Sequence, residues 1–290
     1  MVRGAFLLLV ASAPVAAQET RVNTDPDSAR LVTSDIRLFW DVLDRAPADS
    51  LGAWLQRDYI EKGSAGVRDF VRGRIISGEA LAQMIQRRRG RYDSVRAATF
   101  MVDSAAVGIR QVFHRFKALY PEAVFPDVYF VIGRLNSGGT ASRNGLLIGA
   151  EMYRSPEGLP AIVAHELIHF QQRWAAFTLL YQAFKEGSAD FVAELIAGRH
   201  INAAAHEYGR AHERELWEEF RARLDTTSYA GWMYGDPPGE RPADLGYFIG
   251  YRIAQAYYDS RSDKAQALRN IINPPGGNVR EILSASGYDP

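Results

Sequence analysis

"AIVAHELIHFQQ", residues 161–172, sets two histidines four positions apart and a glutamate directly after the first. Its flanks are apolar at Ile162, Val163, Leu167 and Ile168, and Pro156, Gly158 and Pro160 prepare a helix start just before it. Positions four apart on a helix share a face, so His165 and His169 can reach one ion. Zinc takes imidazole nitrogens at about 2.0–2.1 Å, and one helical turn suits that spacing. Glu166 is rotated about one position round the helix. From there it can stand beside an ion without binding it and take a proton from an attacking water. The competing reading is a helix that happens to carry two histidines, and the rest of the chain decides between them.

Two histidines do not make a site, because a catalytic zinc needs a third protein ligand and an open fourth position. "KEGSADFVAEL" (185–195) supplies one. Glu186 lies 17 positions after His169, which leaves room for the first helix to end, a turn, and a return helix. Asp190 is four residues on, on the same face. There it can accept a hydrogen bond from the outward nitrogen of a ligating histidine and fix its orientation. The expected ligands are therefore His165, His169 and Glu186, with Glu166 as the base and Asp190 behind the histidines. Two histidines and two further carboxylates within thirty residues outweigh the chance occurrence of a short motif.

Upstream, "VFPDVYFVIG" (124–133) is β-branched and aromatic and predicts a strand. "RLNSGGTASRNG" reads as a loop or wide hairpin. "LLIGAEMY" (146–153) predicts a second strand, either a core strand or the one beside the active-site helix that pairs with an extended substrate. Before residue 120 the pattern is helical in "DIRLFWDVLDRA", "GEALAQMIQRRRGRYDSVRAA" and "DSAAVGIRQVFHRFKALYP". The run "RRRGR" (87–91) reads as a solvated helix surface. After residue 160 the chain is mainly helical, broken at "DPPGERP" and "NPPGG". The expected class is α+β, predominantly helical, with a small sheet preceding the active-site helix. The expected division is 1–17, 18–120 as an N-terminal helical region, and 121–290 as the catalytic domain.

The chain has 290 residues, with Lys+Arg and Asp+Glu equal at 34 each. A zero formal charge gives no general attraction to nucleic acid or anionic membrane. There is no cysteine, so a metal must be held by His, Asp or Glu. "MVRGAFLLLVASAPVAAQET" combines Arg3, an apolar run broken by Pro14, and small residues before position 18, as a secretory signal peptide does. The run is shorter than the about 20 apolar residues a spanning helix needs. The expectation is an exported protein, periplasmic or secreted, without stable membrane insertion after cleavage.

HELIH followed by EGSAD resembles the gluzincin arrangement of zinc metallopeptidases. More narrowly, "NSGGTASRNGLLIG", "HELIHFQQ", "EGSADF" and "GYFIGYRIAQAYY", in that order, resemble a bacterial family of predicted zinc-dependent proteases related to the gliding motility lipoprotein B. The resemblance runs from about residue 124 to the C-terminus. It implies a zincin-like catalytic domain, Zn2+ as cofactor and a peptide or protein as substrate. The chain departs from the gliding lipoprotein in lacking a lipid-anchor cysteine. Gluzincins commonly use a downstream Tyr or His to stabilise the oxyanion. In "ADLGYFIGYRIAQAYYD" (243–259), Tyr251 and then Tyr247 are the candidates, plain packing beside Phe248 and Ile249 being the alternative. Arg252 and the histidines at 200, 206 and 212 are weaker. Six-residue spacing in "HINAAAHEYGRAH" is not a one-turn metal spacing and reads as a surface helix. The rival to an enzyme is a non-catalytic, zinc-stabilised envelope binding or assembly protein.

Overall fold

Apolar residues at three- and four-residue spacing turn the first ordered part of the chain into helices. A computed structural model describes residues 22–199, 201–234 and 239–290; the expected leader at 1–17, His200 and part of "DPPGERP" lie outside the described residues. α1 (Ser34–Arg45) buries Ile36, Phe39, Trp40, Val42 and Leu43 along one face. α2 (Leu51–Trp54) widens into a π turn at Leu55–Ile60. α3 (Ala65–Phe70) and α4 (Gly78–Arg87) start where Ser64 and Ser77 accept backbone N–H groups of the first turn. α5 (Arg89–Phe100) and α6 (Ala106–Leu119) complete this part. Arg91 does more than face solvent: its guanidinium donates to the carbonyls of Glu151 and Met152, at 3.3 and 3.0 Å.

The sheet has the order β1–β2–β4–β3. β1 (Leu31–Val32), β2 (Asp127–Val131) and β4 (Gly145–Gly149) run parallel, and β3 (Gly139–Ala141) returns antiparallel to β4 with Gly139 opposite Ile148. The readings left open for this stretch separate here. "LLIGAEMY" does form a strand, but β4 is paired on both sides and has no edge to offer a substrate. The edge beside α7 belongs to β3, in the stretch read as a loop or wide hairpin, which pairs with β4 as a hairpin. Gly, Thr and Ala have little apolar signal, and pairing with β4 overrides their weak strand preference. The strand also ends early: Ala150–Met152 is a 3-10 turn that drops Glu151 into the core. β1, only two residues long, ties the N-terminal part to the sheet, and α1 and α3 pack on β2 within one continuous core.

Helices cover the other side. α7 (Leu159–Gln171), with Pro160 in its first turn, lies on β3 and β4 and is buried nearly all round. α8 (Leu179–Ala197) returns along it and ends at Gly198 in the left-handed conformation. α9 (Ala203–Ala211) and α10 (Glu213–Arg221) follow, then α11 (Leu245–Asp259), α12 (Lys264–Ile272) and α13 (Val279–Ser286). α11 meets α8 backbone to backbone. A Cβ on Gly187 would stand 2.1 Å from the Tyr251 nitrogen, and one on Gly250 only 1.8 Å from the Ala183 carbonyl oxygen. The architecture is α+β and predominantly helical, with a small mixed sheet.

Candidate metal centre

α7 and α8 bring three side chains to one point. His165 Nε2 and His169 Nε2 are 2.9 Å apart, and Glu186 Oε2 lies 2.9 Å from the second and 3.4 Å from the first. His165 and Glu186 are 4% and 8% exposed, so water does little to screen the group. Among the described residues, these three form the only group of His, Asp and Glu side chains with metal-ligand spacing.

The hydrogen bonds behind the imidazoles fix what those atoms offer. Asp190 Oδ1 lies 2.7 Å from His165 Nδ1, and a carboxylate can only accept, so Nδ1 donates. Gln172 donates through Nε2 to the Lys185 carbonyl and Ser188 Oγ. Its Oε1 therefore faces His169 Nδ1 at 2.8 Å and accepts from it. With both Nδ1 atoms donating, both Nε2 atoms turn a lone pair inward, toward each other and toward a carboxylate oxygen. Three lone-pair atoms this close repel unless a cation sits among them. Ligand atoms about 2.0–2.1 Å from a tetrahedral zinc stand about 3.3 Å apart; the triangle's sides of 2.9, 2.9 and 3.4 Å bracket that spacing. The donor set fits zinc.

The electrostatics agree. Burial alone would lower both imidazoles; the Asp190 carboxylate at His165 and the Glu186 carboxylate at His169 more than offset it and raise their affinity for a proton. Burial works to raise Glu186, and the two histidines outweigh it and hold its carboxyl well below the usual range. A pocket that draws protons onto two histidines favours any cation in their place. Glu166 is different. It is 5% exposed, is not part of the triangle, and burial raises its pKa. A Cβ on Gly139 would stand 2.6 Å from Glu166 Oε1, so only glycine lets β3 lie this close to that carboxylate.

Residues 133–272 match a family described as a predicted Zn-dependent protease (DUF2268). The matched segment is similar to that family. It spans the edge strand, both helices of the triangle and α11. No curated protein and no solved structure matches the chain.

Within the matched segment, the tyrosines separate. Tyr251, the first choice from sequence, donates to Glu194 Oε2 at 2.5 Å and packs against Phe191. Glu194 is two turns beyond Glu186, about 12 Å along the helix axis. Tyr247 stacks on the His165 ring with centroids 6.3 Å apart. Tyr234, which the sequence reading missed, donates to Glu186 Oε1 at 2.5 Å and accepts from Gln182. Burial, then the Glu186 charge, pushes both Tyr234 and Tyr247 well up, so both stay protonated donors. Tyr234 sits outside any helix at φ 58°, its N–H held by Asp244 at 2.8 Å, and no periodicity announces it. Gln172 was also missed, although it stands one turn from His169, a spacing that could have signalled it. Arg252 pairs with Glu213. His206 is not on a surface: it is 1% exposed, its ring is 4.6 Å from that of Tyr251, and its Nε2 is 4.0 Å from Asp190 Oδ2. Its helix buries a face, and the six-residue spacing concealed that. His212 is half-buried against Tyr208.

Proposed function

We propose that the chain is a zinc-dependent peptidase in which His165, His169 and Glu186 hold zinc and Glu166 is the general base. The observation that carries this is the inward-facing lone-pair triangle with a desolvated carboxylate left over beside it. A structural site has no use for that extra group, which counts against the binding-protein alternative. When bound, zinc supplies Lewis acidity toward the scissile carbonyl and lowers the pKa of a water. Glu166 takes the proton of the attacking water and passes it to the leaving amine; its raised proton affinity brings it nearer the working range of a base. Asp190 and Gln172 hold the imidazoles in the ligating tautomer. Tyr247, or Tyr234 once its hydroxyl turns from Glu186, donates to the oxyanion as charge develops on the carbonyl oxygen.

β3 supplies the substrate track. Gly138 O accepts from Gly149 N–H and Ser142 N–H donates to Gly145 O, so the even-numbered residues turn toward β4. By alternation, Gly139 and Ala141 turn their main-chain groups outward, where an extended peptide can add as a further strand. No helix among the described residues is long and apolar enough to cross a membrane. The Arg3 and apolar leader composition supports export, testable by N-terminal sequencing of secreted protein.

The test is zinc per chain by elemental mass spectrometry, paired with cleavage of a peptide library. About one zinc is expected in the native protein, and a large loss in His165→Ala and Glu186→Gln. Glu166→Gln should keep the metal and lose about 10²–10⁴-fold in turnover. A folded native protein that zinc cannot refill would sink the proposal, as would full activity in Glu166→Gln.

A further inference from the structure

A cavity of about 640 Å³ opens beside β3, on the far side of the sheet edge from α7. The Gly139 Cβ direction points at Glu166, so Gly139 faces α7. Thr140 then faces the other way, and Thr140 and its cross-strand partner Leu147 both line the cavity. Across from them stand Arg68, Arg72 and Arg74, with Arg143 at the turn between β3 and β4. The chain as a whole is neutral, yet this wall carries four arginines against one acid, Asp69. Asp69 accepts from Asn144 at 2.9 Å. Among the described residues, none of the four arginines is in a salt bridge with a carboxylate.

The arginines are held up to the edge strand by the backbone. Gly73 (φ 79°) and Ile76 (φ 72°) turn the chain sharply after α3. The Arg74 carbonyl accepts from Arg134 Nε at 2.7 Å and from Asn136 Nδ2 at 3.2 Å, docking that turn on the segment that leads into β3. The row therefore runs alongside the substrate track rather than on an unrelated surface.

We infer that this row of arginines selects extended peptides with acidic side chains beside the scissile bond. A strand added to β3 alternates its side chains between the two faces. Residues turned toward α7 meet Glu166 and the histidines, and their neighbours turn toward the arginines. Guanidinium groups pair with carboxylates bidentately, and a set left without internal acidic partners is disposed to take them from a ligand. The track is taken from the peptidase reading; the charge of the wall is independent of it.

The experiment compares two peptide pools on the zinc-loaded full chain: one containing Asp and Glu, the other with Asn and Gln in their places. The acidic-to-amide ratio of kcat/KM should be about tenfold at low salt and should shrink as ionic strength rises from roughly 0.05 to 0.5 M. It should collapse toward one in Arg68→Glu/Arg72→Glu and, on the other wall, in Arg143→Glu. Binding of the labelled pools to Glu166→Gln, read by anisotropy, separates the two ideas. If neither pool is cut but the acidic pool binds better, and the charge reversals remove that preference, the peptidase reading fails and the acidic-ligand inference stands. If both pools are cut equally, the inference is overturned while the peptidase reading survives; if neither is cut and both bind equally, both fail. Equal displacement of the acidic pool by an oligonucleotide of matched charge would overturn the assignment to peptides.

Discussion

The two halves of the site are built in opposite ways. On α7 and α8 the polar atoms at the triangle have fixed partners: His165 on Asp190, His169 on Gln172, and Glu186 on Tyr234 and Gln182. The geometry follows from the helical repeat and from two helices packed face to face. The β3 half is a three-residue edge strand preceded by Leu135 at φ 58° and walled by a turn that contains Ile76 at φ 72°. Such conformations cost on the order of 1–3 kcal/mol each and persist only where surrounding contacts enforce them. The helical half is preorganised for one chemistry. The strand half joins segments sixty residues apart and presents exposed arginines, so it can change its preference without disturbing the triangle.

The largest test of that contrast falls on a residue that belongs to neither half by sequence. Tyr234 reaches Glu186 from a loop, whereas Tyr251 engages Glu194 well along α8. Tyr234→Phe should lower kcat by about 10²–10³-fold if its hydroxyl serves the oxyanion, with zinc content kept. Tyr251→Phe should leave kcat within a few-fold. Steady-state kinetics with metal analysis on both variants, and on Tyr247→Phe, decides. If Tyr251→Phe is the damaging change, the loop has no part in catalysis and the helices hold all of it.

The same contrast explains what the sequence made legible. His165, Glu166, His169, Glu186 and Asp190 fall at helical intervals, and helical intervals survive folding, so their convergence could be read directly. The sheet ahead of α7 was legible because β2 and β4 are continuous apolar runs. Their order was not, since nothing local states that β4 is central and β3 the edge. Tyr234 and the arginines at 68, 72 and 74 depend on backbone turns with positive φ and on contacts distant in sequence. His206 was misjudged because a test for metal spacing says nothing about burial.

A buried acid beneath the strand half gives the next effect. Glu151 is fully buried, and its Oε1 accepts from Leu135 N–H at 3.2 Å, directly supporting the segment before β3. Burial pushes its pKa up from 4.5 to about 7. A carboxyl raised on folding contributes fully below its unfolded pKa, and that contribution is lost as pH rises through the folded value. Between about pH 4.5 and 7 the fold should therefore lose about 3 kcal/mol through this group. Glu151→Gln does not titrate, so the stability difference between variant and native protein should shift in the variant's favour over that window. Urea midpoints measured from pH 5 to 8 test it. Parallel curves for the two proteins would mean that the acid does not carry the pH dependence of this half.

The smallest effect probes the helical half from behind. Asp190 Oδ1 accepts from His165, and Oδ2 accepts from Asn202 Nδ2 at 2.9 Å. Asp190→Asn keeps the shape and removes the charge. Partners of this kind typically account for about 10–100-fold in metal affinity, so zinc binding at neutral pH should weaken by that range. The pH dependence should move the other way. Asp190 is the leading influence that raises the proton affinity of His165 against its burial, so without its charge protons compete less for that nitrogen. The pH at which zinc affinity begins to fall should shift downward even as the plateau drops. Competition titrations with a chelator across pH report both quantities. A lower plateau with an unmoved pH profile would mean that Asp190 acts only by holding the ring in place. A lower plateau with the shifted profile would show that its charge also sets how strongly protons contest the metal.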